Sequence, residues 1–331
     1  MKKIINSPQD VVKEMLEGMK IAYPGLQLDV ESNVLYRNSE KKKVGILSGG
    51  GSGHEPAHSG YVGYGMLDVA VSGNVFASPD PFSILEGIKH ANRGEGVLLV
   101  VKNYSGDVMN FTMAADLAKE LGIKVKIVNV NDDVAVLEYD ARRGIAGTVF
   151  VHKIVGAAAE KGKSLDEIVE IAEQTIQGLR SFGFSFTSCT IPEVGKPIFQ
   201  ISEDEFELGM GIHGEPGILR TQLLSSAELS KILVDKVCRD NVDYCNEEVA
   251  VLINGLGGTP LMELNILLKD VHSELISKSI KPVKYMVGNY MTSLEMSGAS
   301  LSLLKLDKMM LEYLEATCDT PALKVGCAHE I

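Results

Sequence analysis

Cysteine is scarce in this sequence, and its few occurrences form no pattern. The 331 residues contain five cysteines, an odd number, widely spaced and without a Cys-x-x-Cys pair. This distribution indicates neither a disulfide framework nor a cysteine zinc site. We therefore expect a reducing, cytoplasmic environment. The five residues are Cys189, Cys238, Cys245, Cys318 and Cys327.

An excess of positive charge and long apolar runs are also lacking. Lys and Arg number 32 against 44 Asp and Glu, so the net charge is −12. A nucleic-acid partner is not expected, because such binding needs clustered Lys and Arg to neutralise phosphates. The short run Lys41 to Lys43 is interpreted as a solvated turn before a strand.

The start MKKIINSPQD has no apolar run of signal-peptide length, and no later stretch approaches a membrane span, so no membrane association is expected.

Biased composition and internal repeats are absent from the sequence as well. Hydrophobic residues make up 45% and charged residues 23% of the chain, which is a globular balance. A chain of 331 residues exceeds the length at which one hydrophobic core usually stops growing. We therefore predict two domains, over residues 1–182 and 183–331.

Short apolar runs alternate with helical patterns along the chain. The runs at 44–48, 97–103 and 125–130 predict buried strands, and residues 109–121 predict a helix. Further helices are predicted after the N-cap pair Ser7-Pro8 and at 148–161, 165–180 and 260–278, and further strands at 248–255, 283–291 and 299–306. This alternation predicts an α/β fold with two α/β domains built on mixed sheets.

A glycine-rich segment follows the strand predicted at 44–48. It runs from Gly49 to His54 with four glycines and one serine before the histidine, and would expose backbone N–H groups to an oxygen-rich ligand. It is not a Walker loop, because no Gly-Lys-Ser/Thr follows, and it lacks the third glycine of the dinucleotide fingerprint. A tight strand-to-helix turn is the alternative interpretation.

The residues His54 to His58 match the HExxH pattern of metalloproteases. That pattern binds zinc only when a continuous helix places both histidines on one face. Pro56 opposes such a helix, although a helix could begin at Pro56 itself. A zinc hydrolase is therefore a minor alternative.

Two other segments carry candidate functional side chains. Lys102 and Asp107 flank the end of the strand at 97–103, and open α/β sheets bind ligands at that edge. Local sequence alone favours Asp107 as a helix N-cap over a catalytic base. His213 lies in a glycine-rich loop at 209–217, where little bulk shields its ring, so structural and functional roles are equally open.

Six motifs occur in order along nearly the whole chain: SGGGSGHEP at 48–56, ASPD at 77–80, VKNYSGD at 101–107, ARRG at 141–144, GIHGEPG at 211–217 and NGLGGTPLMEL at 254–264. Together they resemble the K-type subunit of the dihydroxyacetone kinases. The resemblance implies a substrate site at the strand ends, between the glycine-rich loop and the histidine loop of the second domain.

The resemblance also implies a role for individual residues. His213 corresponds to the histidine that holds the ketone covalently as a hemiaminal, and His54 to a second active-site histidine that assists proton movement. Asp107 matches the acidic residue that accepts the proton of the reacting hydroxyl, and Lys102 matches a substrate-binding lysine. The expected substrate-binding residues are Gly51, Ser52, Gly53, His54, Lys102 and Asp107. No metal and no cofactor are expected on this chain.

Partners are likewise implied by the resemblance. Single-chain relatives carry a nucleotide-binding domain after the K-like part, whereas this sequence stops soon after TPAL at 320–323. A separate L-type subunit is therefore expected to hold ADP or ATP with magnesium. A phosphotransferase-system M-type subunit, fed by phosphoenolpyruvate, is expected to recharge that nucleotide. The K-type subunit itself is expected to form a homodimer.

Two departures from the family pattern suggest a divergent paralogue. The segment 132–143 is shorter than its usual counterpart, and the ending KVGCAHEI lacks a tryptophan that many relatives have. Some K-like paralogues bind dihydroxyacetone and act as co-activators of a transcription regulator, which is the leading alternative function. Retention of Lys102 and Asp107 favours catalysis, because a sensor needs no base aimed at the substrate hydroxyl.

Overall fold

The computed structural model describes residues 2–326, so Cys327 and the end of the KVGCAHEI segment lie outside the described residues. Within that range the helices are α1 Val11–Ala22, α2 Pro81–Ala91, α3 Ser105–Glu120, α4 Thr148–Glu160, α5 Leu165–Gln177, α6 Ser226–Cys238, α7 Leu261–Ser277 and α8 Lys308–Glu315. None of these helices combines the length and apolar character needed to cross a bilayer.

The strands of residues 2–326 form two six-stranded sheets and one small ribbon. They are β1 Leu26–Asp29, β2 Val34–Arg37, β3 Gly45–Ser52, β4 Val69–Val75, β5 Val97–Lys102, β6 Val125–Val130, β7 Leu179–Ser185, β8 Glu205–Leu208, β9 Leu219–Gln222, β10 Glu248–Gly255, β11 Lys281–Gly288, β12 Gly298–Lys305, β13 Cys318–Asp319 and β14 Lys324–Val325. Helices and strands alternate, and both large sheets mix parallel and antiparallel pairs, which confirms the predicted α/β class.

The chain forms two compact units, each assembled from separated segments. The first unit comprises Lys2–Val130, Phe150–Gln174 and the chain from Met309 onward. The second unit comprises Asn131–Val149 and Thr175–Lys308. The predicted boundary between residues 182 and 183 falls inside β7, which spans Leu179–Ser185. The segment around Asp132 also pairs with that strand, since Asp133 is bridged to Ser181. The division of the chain into two domains at that point stays a prediction.

The sheet of the first unit has the order β1-β2-β4-β3-β5-β6. Its four strands β4, β3, β5 and β6 are parallel, and most of their apolar residues are buried, as is usual for parallel strands. Val71, Leu99 and Phe111 belong to the core that this sheet forms with α2 and α3. The parallel arrangement brings the carboxyl ends of β3 and β5 to the same edge of the sheet.

The sheet of the second unit has the order β11-β10-β12-β7-β8-β9. Only the pair of β10 and β11 is parallel, and α6 and α7 pack on one another beside this sheet. Phe182, Leu233 and Val251 are among its fully buried core residues. β8 and β9 are antiparallel neighbours, with Leu208 opposite Leu219, so residues 209–218 form the loop of a hairpin.

Local boundaries differ from the prediction at three places. α1 begins at Val11 with Asp10 as its N-cap, so the Ser7-Pro8 start was wrong by one turn. No α-helix begins at Pro56, where turns lead into a short 3-10 segment at 59–61. Lys43 is buried rather than solvated, because it pairs with Asp68 at 2.6 Å.

Candidate active site

The glycine-rich segment is largely strand rather than loop. β3 continues to Ser52, so Gly49 to Gly51 are strand residues. A Cβ on Gly49 would lie 2.4 Å from the carbonyl oxygen of Val71, and one on Gly51 would lie 2.6 Å from the backbone nitrogen of Ala77. Neighbouring backbone therefore requires glycine here, and the chain leaves the sheet only at Gly53.

Gly50 lies against the side chains of Lys102 and Asp107. A Cβ on Gly50 would be 3.1 Å from Lys102 Nζ and 3.3 Å from Asp107 Oδ2. The ammonium and carboxylate are 4.0 Å apart, and both side chains are buried. β3 and β5 are parallel neighbours, so their carboxyl ends lie at the same edge of the sheet. Lys102, Asp107 and the glycine Gly50 therefore meet at that edge.

Asp107 occupies the first turn of α3 but does not cap it. The helix begins at Ser105 with Tyr104 as the N-cap residue, so the N-cap interpretation of Asp107 is wrong. An anionic side chain in the first turn is stabilised by the helix dipole. The carboxylate is thus held between the helix N-terminus and Lys102, and its oxygens can accept a proton or a hydrogen bond.

His54 is fully buried and stacks on Phe76. The ring centroids are 5.1 Å apart and the planes are inclined by 21°. Phe76 has a φ of 58°, a left-handed conformation that a bulky residue seldom adopts, and its backbone N–H donates to the Ser52 carbonyl at 2.9 Å. Strained residues of this kind concentrate at functional sites, and here the strain places a ring against His54.

Ser52 and Gly53 make contacts within the loop itself. The Ser52 hydroxyl donates to the carbonyl oxygen of Gly73 on β4 at 2.8 Å. The Gly53 N–H donates to the Glu55 carboxylate at 3.0 and 3.1 Å. These bonds fix the course of the chain between β3 and His54.

The HEPAH segment lacks the helix that a zinc hydrolase needs. Residues 54–58 form turns, and His58 bonds to His152 of α4, with His58 Nδ1 and His152 Nε2 3.0 Å apart. The structure therefore contradicts the HExxH interpretation. Within residues 2–326, no three His, Cys, Asp or Glu side chains are grouped as ligands of a metal ion.

The His58 and His152 pair is buried behind the glycine-rich strand. Ser48 donates its hydroxyl to the Val100 carbonyl at 2.7 Å, and its oxygen lies 3.3 Å from His58 Nδ1. Burial and the nearby Lys102 charge lower the pKa of His152 to about 3. Burial, Lys102 and His152 together hold the pKa of His58 well below its ordinary value. Both rings are therefore neutral near neutral pH.

His213 lies in the hairpin loop between β8 and β9. The loop is closed at its base because Ile218 donates to the Leu208 carbonyl at 2.8 Å and Gly217 donates to the Glu207 carboxylate at 2.7 Å. The His213 side chain is 18% exposed, so one part of the ring remains accessible. The loop thus presents an imidazole on a fixed backbone.

Glu215 binds His213 twice. One carboxylate oxygen accepts the His213 backbone N–H at 2.9 Å, and the other lies 3.0 Å from ring Nδ1. Burial alone would raise the pKa of Glu215, but the hydrogen bond and charge of His213 hold it at about 2. An ionised carboxylate can only accept a hydrogen bond, so Nδ1 carries a proton, and in the neutral form of the ring Nε2 then has the lone pair.

The structure groups the predicted residues into two sets. Gly51, Ser52, Gly53 and His54 lie with Lys102 and Asp107 in the first unit, and His213 lies in the second. The prediction missed Glu215, Phe76 and the His58–His152 pair. Glu215 could have been found from the sequence, because it lies only two residues after His213. The partners of His54 and His58 could not, because they are distant in sequence.

Comparison with known proteins gives a consistent result. The Dak1 domain profile matches residues 17–322. The chain is 50% identical to the PTS-dependent dihydroxyacetone kinase 1, dihydroxyacetone-binding subunit DhaK of Listeria innocua, across 97% of this chain and 100% of that protein.

Two solved structures resemble the chain closely. The dihydroxyacetone kinase of C. freundii superposes with a TM-score of 0.92 at 35% identity, over 98% of this chain and 60% of that chain. The dihydroxyacetone kinase operon co-activator Dha-DhaQ superposes with a TM-score of 0.89 at 38% identity, over 95% of this chain and 98% of that chain.

Proposed function

The chain belongs to the Dak1 domain family, and on that premise we propose that it is the dihydroxyacetone-binding subunit of a phosphotransferase-system-dependent dihydroxyacetone kinase. Its relative at 50% identity is such a subunit. The observation that carries the proposal is the contact of His213 with Glu215, because it places a proton on Nδ1 and so leaves Nε2 of the neutral ring with a lone pair for attack on a carbonyl carbon.

Covalent capture follows from that tautomer. Nε2 of His213 adds to the ketone carbon, a C–N bond forms, and the π pair of the C=O bond moves to oxygen, which takes up a proton. The ring gains positive charge and keeps the Nδ1 proton, which stays hydrogen-bonded to the Glu215 carboxylate. The product is a hemiaminal whose ring charge is balanced by Glu215. A polyol such as glycerol cannot form it, because it has no electrophilic carbon.

The first-unit set acts on the captured substrate in this proposal. Asp107 accepts the proton of the substrate hydroxyl as that oxygen attacks the phosphoryl group, and Lys102 binds substrate oxygen. His54 hydrogen-bonds the substrate and assists proton movement, and Gly51, Ser52 and Gly53 leave room for a three-carbon ligand.

The phosphoryl donor comes from partners in this proposal. An L-type subunit holds the nucleotide with magnesium, and an M-type subunit of the phosphotransferase system recharges it from phosphoenolpyruvate. The chain acts as a homodimer, in the cytoplasm, where both phosphoryl donors are found. Light scattering of the chain alone tests the homodimer, and light scattering of the chain mixed with an L-type subunit tests that partnership.

A co-activator of a dihydroxyacetone kinase operon is the second candidate function. The similarity to Dha-DhaQ supports it, since that protein covers nearly the same length. Such a protein needs ketone capture but no transfer. The buried pair of Lys102 and Asp107, 4.0 Å apart at the carboxyl edge of the sheet, favours the kinase subunit, because it provides a base that a sensor does not need.

Covalent capture is tested with dihydroxyacetone labelled with carbon-13 at the carbonyl. We expect a tetrahedral carbon signal to replace the carbonyl signal on addition of protein, and His213→Gln to abolish it. Glycerol in large excess should not compete. A bound ligand that keeps its carbonyl signal would contradict capture by His213.

A further inference from the structure

Arg143 links the core of the second unit to the loop of His213. Its Nε and Nη2 lie 2.8 and 2.7 Å from the same Asp133 carboxylate oxygen. Nη2 also donates to the carbonyl oxygen of Gly209, the first residue of the loop, at 2.9 Å. The side chains of Arg143 and Asp133 are only 13% and 1% exposed, so solvent screens this contact little.

The guanidinium also lies beside the carboxylate that binds His213. A Cβ on Gly211 would be 2.8 Å from Arg143 Nη1 and 2.2 Å from Glu215 Oε2. Both charged groups therefore occupy the space in which a side chain at position 211 would lie. This explains why glycine stands there, and it places the two opposite charges near one another on the same side of the loop backbone.

Asp133 holds the guanidinium because it is itself fixed by backbone bonds. Its N–H donates to the Arg143 carbonyl at 3.1 Å, and its other carboxylate oxygen accepts the Ala135 N–H at 3.0 Å. The adjacent Val134 N–H donates to Ser181 in β7 at 3.0 Å. The position of the guanidinium is thus set by the sheet rather than by the loop.

We propose that Arg143 is a positioning residue for the reaction: it holds Gly209 and the Glu215 carboxylate so that His213 keeps Nε2 available for the carbonyl. The proposal rests on the proposed function of His213 as the capturing nucleophile. Arg143 itself does not touch the substrate in this account. Its effect reaches the reacting nitrogen only through Glu215 and the loop backbone.

The neighbouring Arg142 provides a matched control. It also forms a two-bond ion pair, with its Nη1 and Nη2 2.9 and 2.7 Å from the oxygens of Asp240. Its guanidinium lies over the ring of Tyr139 at 5.2 Å. Both arginines therefore anchor the segment 131–149, but the bond of Arg143 to Gly209 reaches the loop of His213, whereas the ion pair of Arg142 with Asp240 does not.

The test is the tautomer of His213, read by long-range nitrogen-15 spectra of protein with labelled histidine. His213→Gln identifies the signals of that ring. In the unmodified protein we expect the proton on Nδ1. Arg143→Lys keeps a positive charge beside Asp133, but one ammonium group cannot contact Asp133, Gly209 and Glu215 together. We expect it to populate the Nε2–H tautomer and to slow ketone capture about 10-fold to 100-fold, the loss typical of a removed outer partner.

Arg142→Lys is expected to leave both the tautomer and the capture rate unchanged. A second variant, Asp133→Asn, removes the anchor and should shift the tautomer in the same direction as Arg143→Lys. Wild-type tautomer and capture rate in folded Arg143→Lys would overturn the proposal, as would a shift of equal size in Arg142→Lys. If the unmodified protein captures no ketone, the proposed function fails, while the tautomer still decides the role of Arg143.

Discussion

Glu215 holds His213 at two points, one on the backbone and one on the ring, at 2.9 and 3.0 Å. The two contacts fix both the position of the residue and the nitrogen that carries its proton. A histidine in a glycine-rich loop would otherwise sample several orientations. The proposed nucleophile of the loop therefore has its tautomer fixed in the ligand-free protein, with Nε2 as the reactive nitrogen.

Glu215→Gln tests this relationship directly. An amide can donate as well as accept, so it no longer requires a proton on Nδ1. We expect capture of labelled dihydroxyacetone to slow about 10-fold to 100-fold, as for other outer partners of a reactive histidine, with the fold retained. Stopped-flow measurement of capture, with circular dichroism as the folding control, provides the comparison. Capture at the unmodified rate would show that the carboxylate is dispensable.

Asp107→Asn separates binding from transfer. The amide keeps the shape of the side chain but cannot take up the substrate proton. We expect capture by His213 to persist, while turnover with the L-type partner falls about 100-fold to 10,000-fold, the range for a lost general base. Asp116→Asn, on the exposed side of the same helix, is the matched control and should turn over normally. Normal turnover in Asp107→Asn would remove Asp107 from the catalytic role.

Gly50→Ala probes the space between Lys102 and Asp107. The added methyl would lie 3.1 Å from Lys102 Nζ and 3.3 Å from Asp107 Oδ2, at a backbone φ of +150°. We expect a higher KM and a lower kcat together, because both charged groups must shift.

Gly94→Ala is the control for backbone strain in that experiment. Gly94 also has a positive φ, +90°, but a Cβ there has no neighbour within 4 Å. We expect it to lower the free energy of unfolding by about 1 kcal/mol, the usual effect of alanine at a left-handed position, with unchanged kinetics. Equal kinetic effects in the two variants would mean that strain, not the site, causes them.

Acid should destabilise the protein through the buried histidine pair. His152 has a pKa of about 3 in the fold against an ordinary 6.5, and that of His58 is also lowered. Below about pH 6.5 the unfolded chain binds protons that the folded chain does not. The free energy of unfolding therefore falls as the pH drops from about 6.5 toward about 3, by up to about 1.4 kcal/mol per pH unit for His152, and His58 contributes with the same sign.

Urea denaturation at several values between about pH 7 and about pH 5 measures that slope. His152→Gln should reduce the slope of the free energy of unfolding against pH by the amount that corresponds to about one bound proton, because glutamine does not titrate. A slope that is the same in His152→Gln and the unmodified protein would contradict the assignment.

Much of the fold could be predicted from the sequence. β5 and β6 were found within one residue, because buried parallel strands consist of continuous apolar runs. The end of β3 was missed, since glycine is a poor strand former and only the neighbouring backbone of Val71 and Ala77 explains it. Lys43 was placed in solvent because its partner Asp68 lies 25 residues away.

The members of the candidate site were predicted from motifs, whereas their connections were not. The assignment of His54, Lys102, Asp107 and His213 to that site stays a prediction. Their supporting contacts depend on pairs that local patterns do not reveal. Arg143 contacts Gly209 across 66 residues, and His58 contacts His152 across 94. Only the folded sheets bring such partners together.

The most direct test of the account is phosphorylation of dihydroxyacetone by this protein mixed with a nucleotide-loaded L-type subunit and its phosphoenolpyruvate-driven recharging system. If the chain is a kinase subunit, turnover needs this chain and is abolished by His213→Gln. Capture without turnover, with a partner proven active on another K-type subunit, would contradict the kinase assignment and support the co-activator function.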